Sequence, residues 1–428
     1  LSGKTDAVSE MRDAATYHLT LSFTSDDGIF YTGEANFIVS PYTGKINITI
    51  GSSFEYDGNN PITSALASAI AKLTSGYTLT SNDLLDFETT YYKSGSTESI
   101  TAPVTVGGYS FTLTAKADSK NYYNSSETKG AEGSTSYEIT PKSLEITIGG
   151  SVQYNGNVEF NYFSTNPSNN IIITPDSSSL CGGDIITEVV IKTSSTHVGI
   201  YTKNGTENTL NYASIEIKRG TDDRKNCYNV SLSSNSKLTI NSVITLSQPD
   251  GDILFKYSID GGNEKEYTDP FELSPTETVV ITATGSKVGH HIVFSTTPTD
   301  AGTLGDGNYT ISGRDLTTSV TVTASWEKDI YTVVYNLNGA SGTISNGKVS
   351  IGEAIPIASP DGITNTGYNF KGWAFTSTGS ADDVLASGTN LTAQNITDYI
   401  NSGTITLYAI WEKDIYTVVY NLNGASGT

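Results

Sequence analysis

Apolar and polar residues alternate at every second position in many stretches of the chain. In the C-terminal part, Tyr331 to Leu337 and Ile405 to Trp411 both show this pattern, and Tyr109 to Ala115 shows it again nearer the N-terminus. A period of two places one side of a strand in a core and the other side against solvent. These stretches are therefore predicted to be β-strands, and the chain is predicted to be mainly β.

Helical patterns are few and short. The stretch 392–403 predicts a short helix, with the hydroxyl of Thr392 as its N-terminal cap and Gly403 after its end. The stretch from Pro61 to Leu73, PITSALASAIAKL, also has a helical composition. We interpret it as a helical insertion in an otherwise β-rich region.

Two kinds of internal repeat divide the chain. The string WEKDIYTVVYNLNGASGT occurs unchanged at 326–343 and at 411–428, a period of 85 residues. Upstream, Lys45–Gly58 aligns without gaps on Ser143–Gly156, with seven of fourteen residues identical at an offset of 98. Units of about 100 residues with many short strands and Gly or Asn turns are typical of Ig-like sandwiches. Repeats of this kind indicate a tandem array rather than one large domain.

Three phrases in the C-terminal repeat carry a family resemblance. The opening YTVVYNLNGASG, the central GYNFKGWAF at 367–375 and the closing TLYAIW at 406–411 resemble, in that order, the internalin B-repeat, or Listeria-Bacteroides repeat, of bacterial cell-surface proteins. The resemblance implies a β-grasp-like sheet with a short helix. The stretch from Thr376 to Ser402 is longer than the family pattern.

Weaker resemblances lie upstream. The YDG and YNG turns, the VGGYSFTLTA strand and the KNYYN turn resemble YDG-type and MBG-type Ig-like repeats of large secreted bacterial proteins. The segment from Asp250 to Leu273 is similar to a small Ig-like module of chitobiase-type enzymes. SVTVTASW at 319–326 parallels TITLYAIW at 404–411, which is consistent with a diverged half of a B-repeat.

These observations predict an elongated array of tandem small β domains, Ig-like sandwiches followed by a β-grasp-like repeat. The predicted domains are the C-terminal part of a truncated Ig-like repeat (1–41), two Ig-like repeats (42–141 and 142–241), an Ig-like or chitobiase-C-terminal-like module with a diverged B-repeat half (242–327), a B-repeat (328–412) and the start of a further truncated B-repeat (413–428). We expect the last segment to be poorly packed, because it ends before any partner strand could cover it.

Composition excludes several function classes. Hydrophobic residues make up 36% and charged residues 16%, which suffices for packed cores. The net charge of −21, without a Lys/Arg cluster, argues against nucleic acid as a partner. No apolar run approaches the 18 or so residues that a membrane-spanning helix needs, and the N-terminus shows no signal-peptide pattern.

The sequence contains no recognisable catalytic or metal-binding motif. The four histidines are dispersed apart from the adjacent pair His290 and His291, and neither GxSxG nor a P-loop occurs. Acidic residues near Asp250 lack the calcium-loop spacing. The aromatic residues, Trp373 among them, fit a core better than a sugar-stacking face. We therefore predict no enzyme activity, no catalytic or metal-binding residues and no cofactor.

Two cysteines, Cys181 and Cys227, are the only thiols. A disulfide between them, two buried thiols and a chance pair are all compatible with the sequence. They are the candidate disulfide of the chain.

The predicted function is that of a non-catalytic repeat segment of a large bacterial surface or secreted protein, a stalk, spacer or interaction module in an extracellular or cell-surface location. The chain is expected to be a monomeric rod. Its expected partner is a host protein or a glycan, which would bind at strand edges or at the loop 376–402. The alternative is an accessory carbohydrate-binding or linker region of a secreted glycoside hydrolase.

Overall fold

A computed structural model describes residues 13–62, 70–74, 76–165, 170–175, 180–421, 423–424 and 426. The chain forms two compact units. Unit 1 comprises Leu1–Val152, Asn157–Thr196 and Ile200–Thr239, and unit 2 comprises Gln153–Gly156, His197–Gly199 and Ile240–Thr428.

The prediction of a mainly β chain is confirmed. The strands of the first unit are β1 (Ala15–Thr24), β2 (Phe30–Val39), β3 (Ile46–Thr49), β4 (Ser53–Glu55), β5 (Ile70–Leu73), β6 (Phe87–Lys93), β7 (Ser99–Ile100), β8 (Gly107–Ala115), β9 (Tyr123–Asn124), β10 (Lys129–Gly130), β11 (Glu132–Thr140), β12 (Lys142–Gln153), β13 (Glu159–Phe163), β14 (Ile171–Pro175), β15 (Ile185–Thr193), β16 (Gly199–Thr202), β17 (Leu210–Arg219), β18 (Asp222–Asp223) and β19 (Tyr228–Leu232). One helical turn, α1 (Ser81–Leu84), lies among them.

The second unit continues with β20 (Lys237–Ser247), whose residues from Ile240 onward belong to it. Its other strands are β21 (Leu254–Ile259), β22 (Lys265–Glu266), β23 (Phe271–Leu273), β24 (Thr278–Thr284), β25 (His290–Thr297), β26 (Thr303–Leu304), β27 (Asn308–Ser312), β28 (Val320–Lys328), β29 (Tyr331–Asn336), β30 (Gly347–Val349), β31 (Tyr368–Ala374), β32 (Ile400–Asn401) and β33 (Thr404–Lys413). The helix α2 (Ala393–Tyr399) precedes β32.

The N-terminal part of unit 1 holds a hairpin and a five-stranded sheet. The hairpin is the antiparallel pair β1–β2, and the sheet has the order β4-β11-β8-β6-β7. On β8 the side chains of Tyr109, Phe111 and Leu113 are buried, as the alternation predicts, while Thr114 on the other face is exposed. The pair β3–β5 supplies Ile46 to the core.

The remainder of unit 1 is built in the same way. Strands β13, β15, β17 and β18 form a four-stranded antiparallel sheet, and β12 pairs with β14 and β19. The inward side chains are fully buried at Val189, Ile191 and Ile217. Alternation of buried and exposed side chains along β15 and β17 lets a thin layer bury one face only.

The helical interpretation of Pro61 to Leu73 is wrong at its C-terminal end. Residues Ile70–Leu73 form β5, which pairs antiparallel with β3 between Ile46 and Leu73. Tertiary pairing with a neighbouring strand overrides the local helical composition. Residues 63–69 of this stretch lie outside the described ones.

A buried carboxylate joins distant segments of unit 1. The Asp184 side chain is 0% exposed and accepts hydrogen bonds from the hydroxyls of Tyr56 (2.8 Å) and Tyr228 (2.7 Å) and from Nε of Arg219 (2.7 Å). The same guanidinium donates through Nη1 to the carbonyl of Gly58 (2.8 Å). A buried charge is tolerated only when it is paired and hydrogen-bonded, and this one is both.

This network connects the two predicted Ig-like repeats within unit 1. Tyr56 and Gly58 belong to the YDG turn of the first, while the other three members lie more than 120 residues further along the chain. Burial, followed by the hydrogen bond to Asp184, raises the pKa of Tyr56 above its ordinary value, so the phenol stays neutral. The turn is therefore held by tertiary bonds as well as by its own backbone.

Unit 2 contains two sets of four paired strands with the same topology, each part of a larger sheet. The first has the order β23-β20-β28-β25 and the second β30-β29-β33-β31. In each, the central pair is parallel and both outer strands are antiparallel to their neighbours. The second set also has a short helix, α2, before its last strand, which makes it a β-grasp-like arrangement.

Register as well as order agrees between these sheets. In the first, His291 pairs with Glu327 and Ile292 with Trp326. In the second, Asn369 pairs with Glu412 and Phe370 with Trp411. The two copies of the WEK triplet thus occupy equivalent positions, each at the end of the central strand. The interpretation of residues 242–327 as a module with a diverged B-repeat half stays a prediction.

Each sheet of this pair has a core of its own. The first packs against a second sheet of order β22-β21-β24-β27-β26, and its core includes Ile244, Phe255 and Val322. The second encloses Val333, Leu407 and Trp373, whose indole is 0% exposed and donates to the carbonyl of Ala358 at 2.8 Å. The predicted core role of Trp373 is confirmed.

The predicted helix is present but ends earlier than expected. Thr392 caps α2 through a reciprocal capping box with Asn395, as the sequence indicates. The helix ends at Tyr399, and Gly403 (φ +75°) lies instead in the two-residue turn that joins β32 to β33 after Ser402 (φ +46°). Two successive positive φ values are the mark of a tight hairpin turn, which is why glycine stands there.

The C-terminal segment leaves its apolar residues uncovered, as predicted. Val418, Val419 and Tyr420 are 69%, 84% and 83% exposed, although the equivalent residues 333–335 of the first copy lie in β29 (Tyr331–Asn336) and are buried or half-buried. Identical residues thus behave differently where partner strands are present and where they are not.

Replacing Asp184 by Asn should destabilise unit 1 strongly. The isosteric amide leaves the Arg219 charge without its counter-ion, and we expect a loss of about 3 kcal/mol in the free energy of unfolding. Urea unfolding followed by circular dichroism measures it. The surface control Glu216→Gln, which breaks an exposed pair with Lys218, should have little effect. Equal effects of both substitutions would contradict the proposed role of the buried carboxylate.

Replacing Trp373 by Ala should lower the stability of the β-grasp-like module by about 3–5 kcal/mol, since it removes a fully buried indole and its hydrogen bond. Thermal unfolding monitored by fluorescence of the remaining Trp326 and Trp411 checks this. The matched control is Tyr368→Ala, in the same strand but at an exposed position. It should leave the midpoint temperature of unfolding unchanged.

Candidate interaction surfaces and the module joint

A joint in unit 2 links the two equivalent sheets through Asp329. Its backbone N–H donates to the carbonyl of Gly289 at 2.9 Å, and its carboxylate lies 2.7 Å from Nδ1 of His291. The other carboxylate oxygen accepts from the hydroxyl of Tyr331 at 3.0 Å. Burial, followed by this hydrogen bond, raises the pKa of Tyr331 to about 12. One residue therefore binds the end of one module and the first strand of the next.

Packing accompanies these bonds. A side chain on Gly289 would lie 2.8 Å from Cδ1 of Ile396 in α2 and 3.1 Å from Cβ of Ile351. Gly289 also has φ +72°, a conformation that favours glycine. Close approach of the backbone at this point brings the two modules of unit 2 into direct contact.

The same joint recurs one repeat later. The backbone N–H of Asp414 donates to the carbonyl of Gly367 at 2.9 Å, the amide of Asn369 donates to its Oδ1, and the hydroxyl of Tyr416 donates to its Oδ2 at 2.9 Å. Gly367, like Gly289, has a positive φ (+83°). The hydrogen bonds of the two joints differ in that an amide replaces His291. The packing also differs, because a Cβ on Gly367 would meet no atom within 4 Å and Tyr416 is exposed.

An open groove of about 730 Å³ lies on the solvent face of the five-stranded sheet in unit 1. Its lining is largely hydroxyl and charged groups with a single aromatic ring, from Thr43, Gly44, Lys45, Thr112, Thr114, Ala115, Tyr123, Thr128, Lys129, Gly130, Glu132, Gly133 and Ser134. Hydrogen-bonding groups around one aromatic ring can receive a polar ligand such as a glycan. Nothing in the sequence motifs distinguishes these residues, since threonines on an outer strand face are common.

The loop 376–402, predicted as a ligand site, contacts its own module at a few points, while most of its residues are exposed. Leu391 is 1% exposed, Phe375 stacks on Tyr399 with ring centroids 4.4 Å apart, and the backbone of Leu385 bonds that of Trp373 at 2.8 Å. The loop also contains a 3-10 turn at Ala381–Asp383, where Asp383 accepts from the Ser380 backbone at 2.7 Å. The loop therefore has local capped turns and a few anchoring contacts, and the prediction of a ligand site on it stays a prediction.

Both cysteines are buried free thiols in unit 1. The Cys181 thiol lies 3.5 Å from the carbonyl oxygen of Tyr56, and its backbone N–H donates to the Tyr228 hydroxyl at 2.8 Å. Cys227 is 3% exposed. Cys181 therefore belongs to the surroundings of Asp184, and a disulfide with Cys227 stays a prediction.

Within the described ranges, no cluster of three or more His, Cys, Asp or Glu residues could hold a metal ion. His18 contacts Asn36 at 2.8 Å, and His291 is engaged by the joint. The acidic residues Asp250 and Asp260 bind backbone N–H groups of Trp326 and Thr278. These carboxylates therefore act as turn and strand-end acceptors.

The sequence did not reveal the Asp184 network or the joint at Asp329 and Asp414. Both depend on residues distant in the chain. For the joint, one signal was available: the verbatim repetition of WEKDIY, in which Asp occupies the same place twice. A repeated polar residue between two strands indicates a joint, although only the structure shows its partners.

In the part of the chain that the structure describes, no helix combines the length and apolar character required to cross a bilayer.

Comparisons with curated proteins give partial relatives. A putative membrane protein of Evansella cellulosilytica is 34% identical over 107 residues, which cover 25% of this chain and 14% of that protein. A putative Gly-rich membrane protein of the same organism is 32% identical over 103 residues, covering 24% of this chain and 10% of that protein. The chain thus spans only a small part of the length of the relatives it matches.

Among solved structures, the Bacillus anthracis TIE protein matches over 76% of this chain and 66% of its own, with 8% identity and a TM-score of 0.26. The pilus adhesin SpaC from Lactobacillus rhamnosus GG, in its open conformation, matches over 94% and 34% respectively, with 9% identity and a TM-score of 0.13. The sequence of residues 331–410 matches the Listeria-Bacteroides repeat domain, the family that the three phrases of this segment indicate.

Proposed function

We propose that this chain is a non-catalytic repeat segment of a large bacterial surface or secreted protein, and that it acts as a spacer that holds its modules in fixed register. The observation that carries the proposal is the recurrence of the aspartate joint, at Asp329 and Asp414, on both sides of the segment 331–410 that matches a repeat family. A spacer needs independent cores and stiff connections between them, and unit 2 has both.

The joint explains why a short connection suffices. Only Glu327, Lys328 and Asp329 separate the closing Trp326 from the next module, and the third of these is bound on both sides. A connection held by a backbone bond, a carboxylate and close packing leaves little freedom of rotation. The length of the array then increases with each added module, and no new binding or catalytic residues are needed.

An extracellular or cell-envelope location is part of this proposal. The match to a repeat typical of surface proteins supports it, and the partial relatives described as putative membrane proteins are compatible with it. A host protein or a glycan is the proposed class of partner, with the hydroxyl-lined groove of unit 1 as its site. Nucleic acid is not a proposed partner, given the acidic charge balance.

The alternative function is an accessory or linker region of a secreted glycoside hydrolase. The hairpin β21–β22, with Asp260 and Gly261 in its turn, is the feature that resembles chitobiase-type modules. The complete reading frame separates the two proposals, because a hydrolase domain would carry paired carboxylates at a cleft. Turnover by the purified chain that disappears on a single acidic or hydroxyl substitution would contradict both.

Breaking the joint should increase the range of distances between its two modules. With Cys181 and Cys227 replaced by Ala, spin labels at the exposed Lys265 and Ser387 report the separation of the modules by pulsed electron paramagnetic resonance. We expect a narrow distribution in the parent chain and a clearly broader one in Asp329→Ala, since that substitution removes the bonds to His291 and Tyr331.

The matched control for this experiment is Glu327→Ala, an exposed neighbour in the same connection. It should leave the distribution unchanged. An equally narrow distribution in Asp329→Ala would refute the stiff-joint function, whereas a broad distribution already present in the parent chain would refute the spacer proposal as a whole.

A further inference from the structure

The hairpin β1–β2 in unit 1 presents an apolar face to solvent. Its register pairs Leu19 with Ala35, Leu21 with Gly33 and Phe23 with Tyr31 on one face. The opposite face is polar in its central pairs, such as Ser22 and Thr32, and carries Phe30 and Ile38 near its two ends. Although the pattern is that of a strand pair with one buried side, Leu21 and Phe23 are 64% and 62% exposed. Apolar surface of this kind commonly marks a binding site.

The hairpin β8–β11 is a covered version of the same element. There Tyr109 pairs with Tyr137 and Leu113 with Gly133, as Tyr17 pairs with Phe37 and Leu21 with Gly33 in β1–β2. Pro141 follows Tyr137 at the distance at which Pro41 follows Phe37. In the covered hairpin, however, Phe111 and Leu113 are 0% and 2% exposed. The two elements therefore differ in what lies above them.

The cover of β8–β11 is the segment Lys45–Glu55, which we call the covering segment. A Cβ on Gly133 would overlap the carbonyl oxygen of Ile46, so the backbone of this segment passes directly over the glycine. Its two ends bind β11, because Lys45 forms a bridge with Glu132 and β4 pairs in parallel with 138–140. The glycine is thus required by the close approach of another backbone.

Gly33 stands at the equivalent position, and no described atom lies within 4 Å of the place its Cβ would occupy. Glycine within a strand costs conformational entropy and packs nothing, so it normally accompanies a close approach. Beside it, the edge of β2 at 38–40 corresponds to the edge of β11 to which β4 binds. The open hairpin thus retains both features by which the covered hairpin receives its segment.

We propose that the apolar face of β1–β2 is a docking site for an extended polypeptide segment with the chemistry of Lys45–Glu55. That segment places alternating β-branched side chains on the face, passes its backbone over Gly33 and adds a parallel strand along 38–40. Main-chain hydrogen bonds and apolar burial together supply the affinity, as in other cases of strand addition. This inference is independent of the spacer function of the joint.

A labelled peptide of the sequence KINITIGSSFEY, residues 45–56, tests the proposal by fluorescence anisotropy with the full chain. We expect saturable binding with a Kd below about 100 μM. The variant Gly33→Val should weaken it about tenfold or more, because the branched side chain blocks the path of the backbone. Gly33 has no positive φ, so the variant can form the strand, which circular dichroism verifies.

The matched control is Thr32→Val, which places the same side chain on the polar face of β2 and should bind the peptide as the parent does. A peptide with Asp in place of Ile46 and Ile48 should not bind. Absence of binding at about 1 mM peptide, or equal affinity in Gly33→Val, would overturn the proposal. So would dimerisation of the chain, seen by sedimentation and abolished by Gly33→Val, since a second copy would then be the occupant.

Discussion

The long strands that the structure describes mostly carry one apolar face, and that face is buried only where a second layer covers it. A strand with a strict period of two cannot bury both sides, and a thin sheet has no other source of core. In the β-grasp-like module the cover comes from α2 and the loops around Trp373, and in unit 1 it comes from segments such as Lys45–Glu55. Among the described strands, the buried and the exposed apolar faces differ in whether this cover is present.

The two copies of WEKDIYTVVYNLNGASGT illustrate the constraint. In the first copy, Tyr331 and Val333 are buried between β30 and β33, and in the second the corresponding Tyr416 and Val418 are 76% and 69% exposed. Sequence alone therefore does not decide burial here. The Asp residue of the string makes corresponding bonds in both copies, because its partners in the preceding module, at Gly289 and His291 or at Gly367 and Asn369, are present each time.

Much of the fold was predictable because it depends on local pattern. The alternation in Tyr109–Ala115, the cap at Thr392 and the core role of Trp373 need only neighbouring residues, and all are confirmed. The buried network of Asp184 was not predictable, since its partners lie up to 128 positions from Asp184 in the chain. β5 was misread because strand pairing outweighed the propensity of an Ala-rich segment.

Amide hydrogen exchange of the purified chain, resolved by mass spectrometry, tests the central claim most directly. Exchange rates report local opening, and opening is easiest where few apolar contacts hold a strand. We predict slow exchange in β8, β11 and β33 and fast exchange in β1, β2 and the segment from Ile415 onward, although β1–β2 has the same pairing pattern as β8–β11. Protection of β1–β2 equal to that of β8–β11 in the monomeric chain would contradict the account.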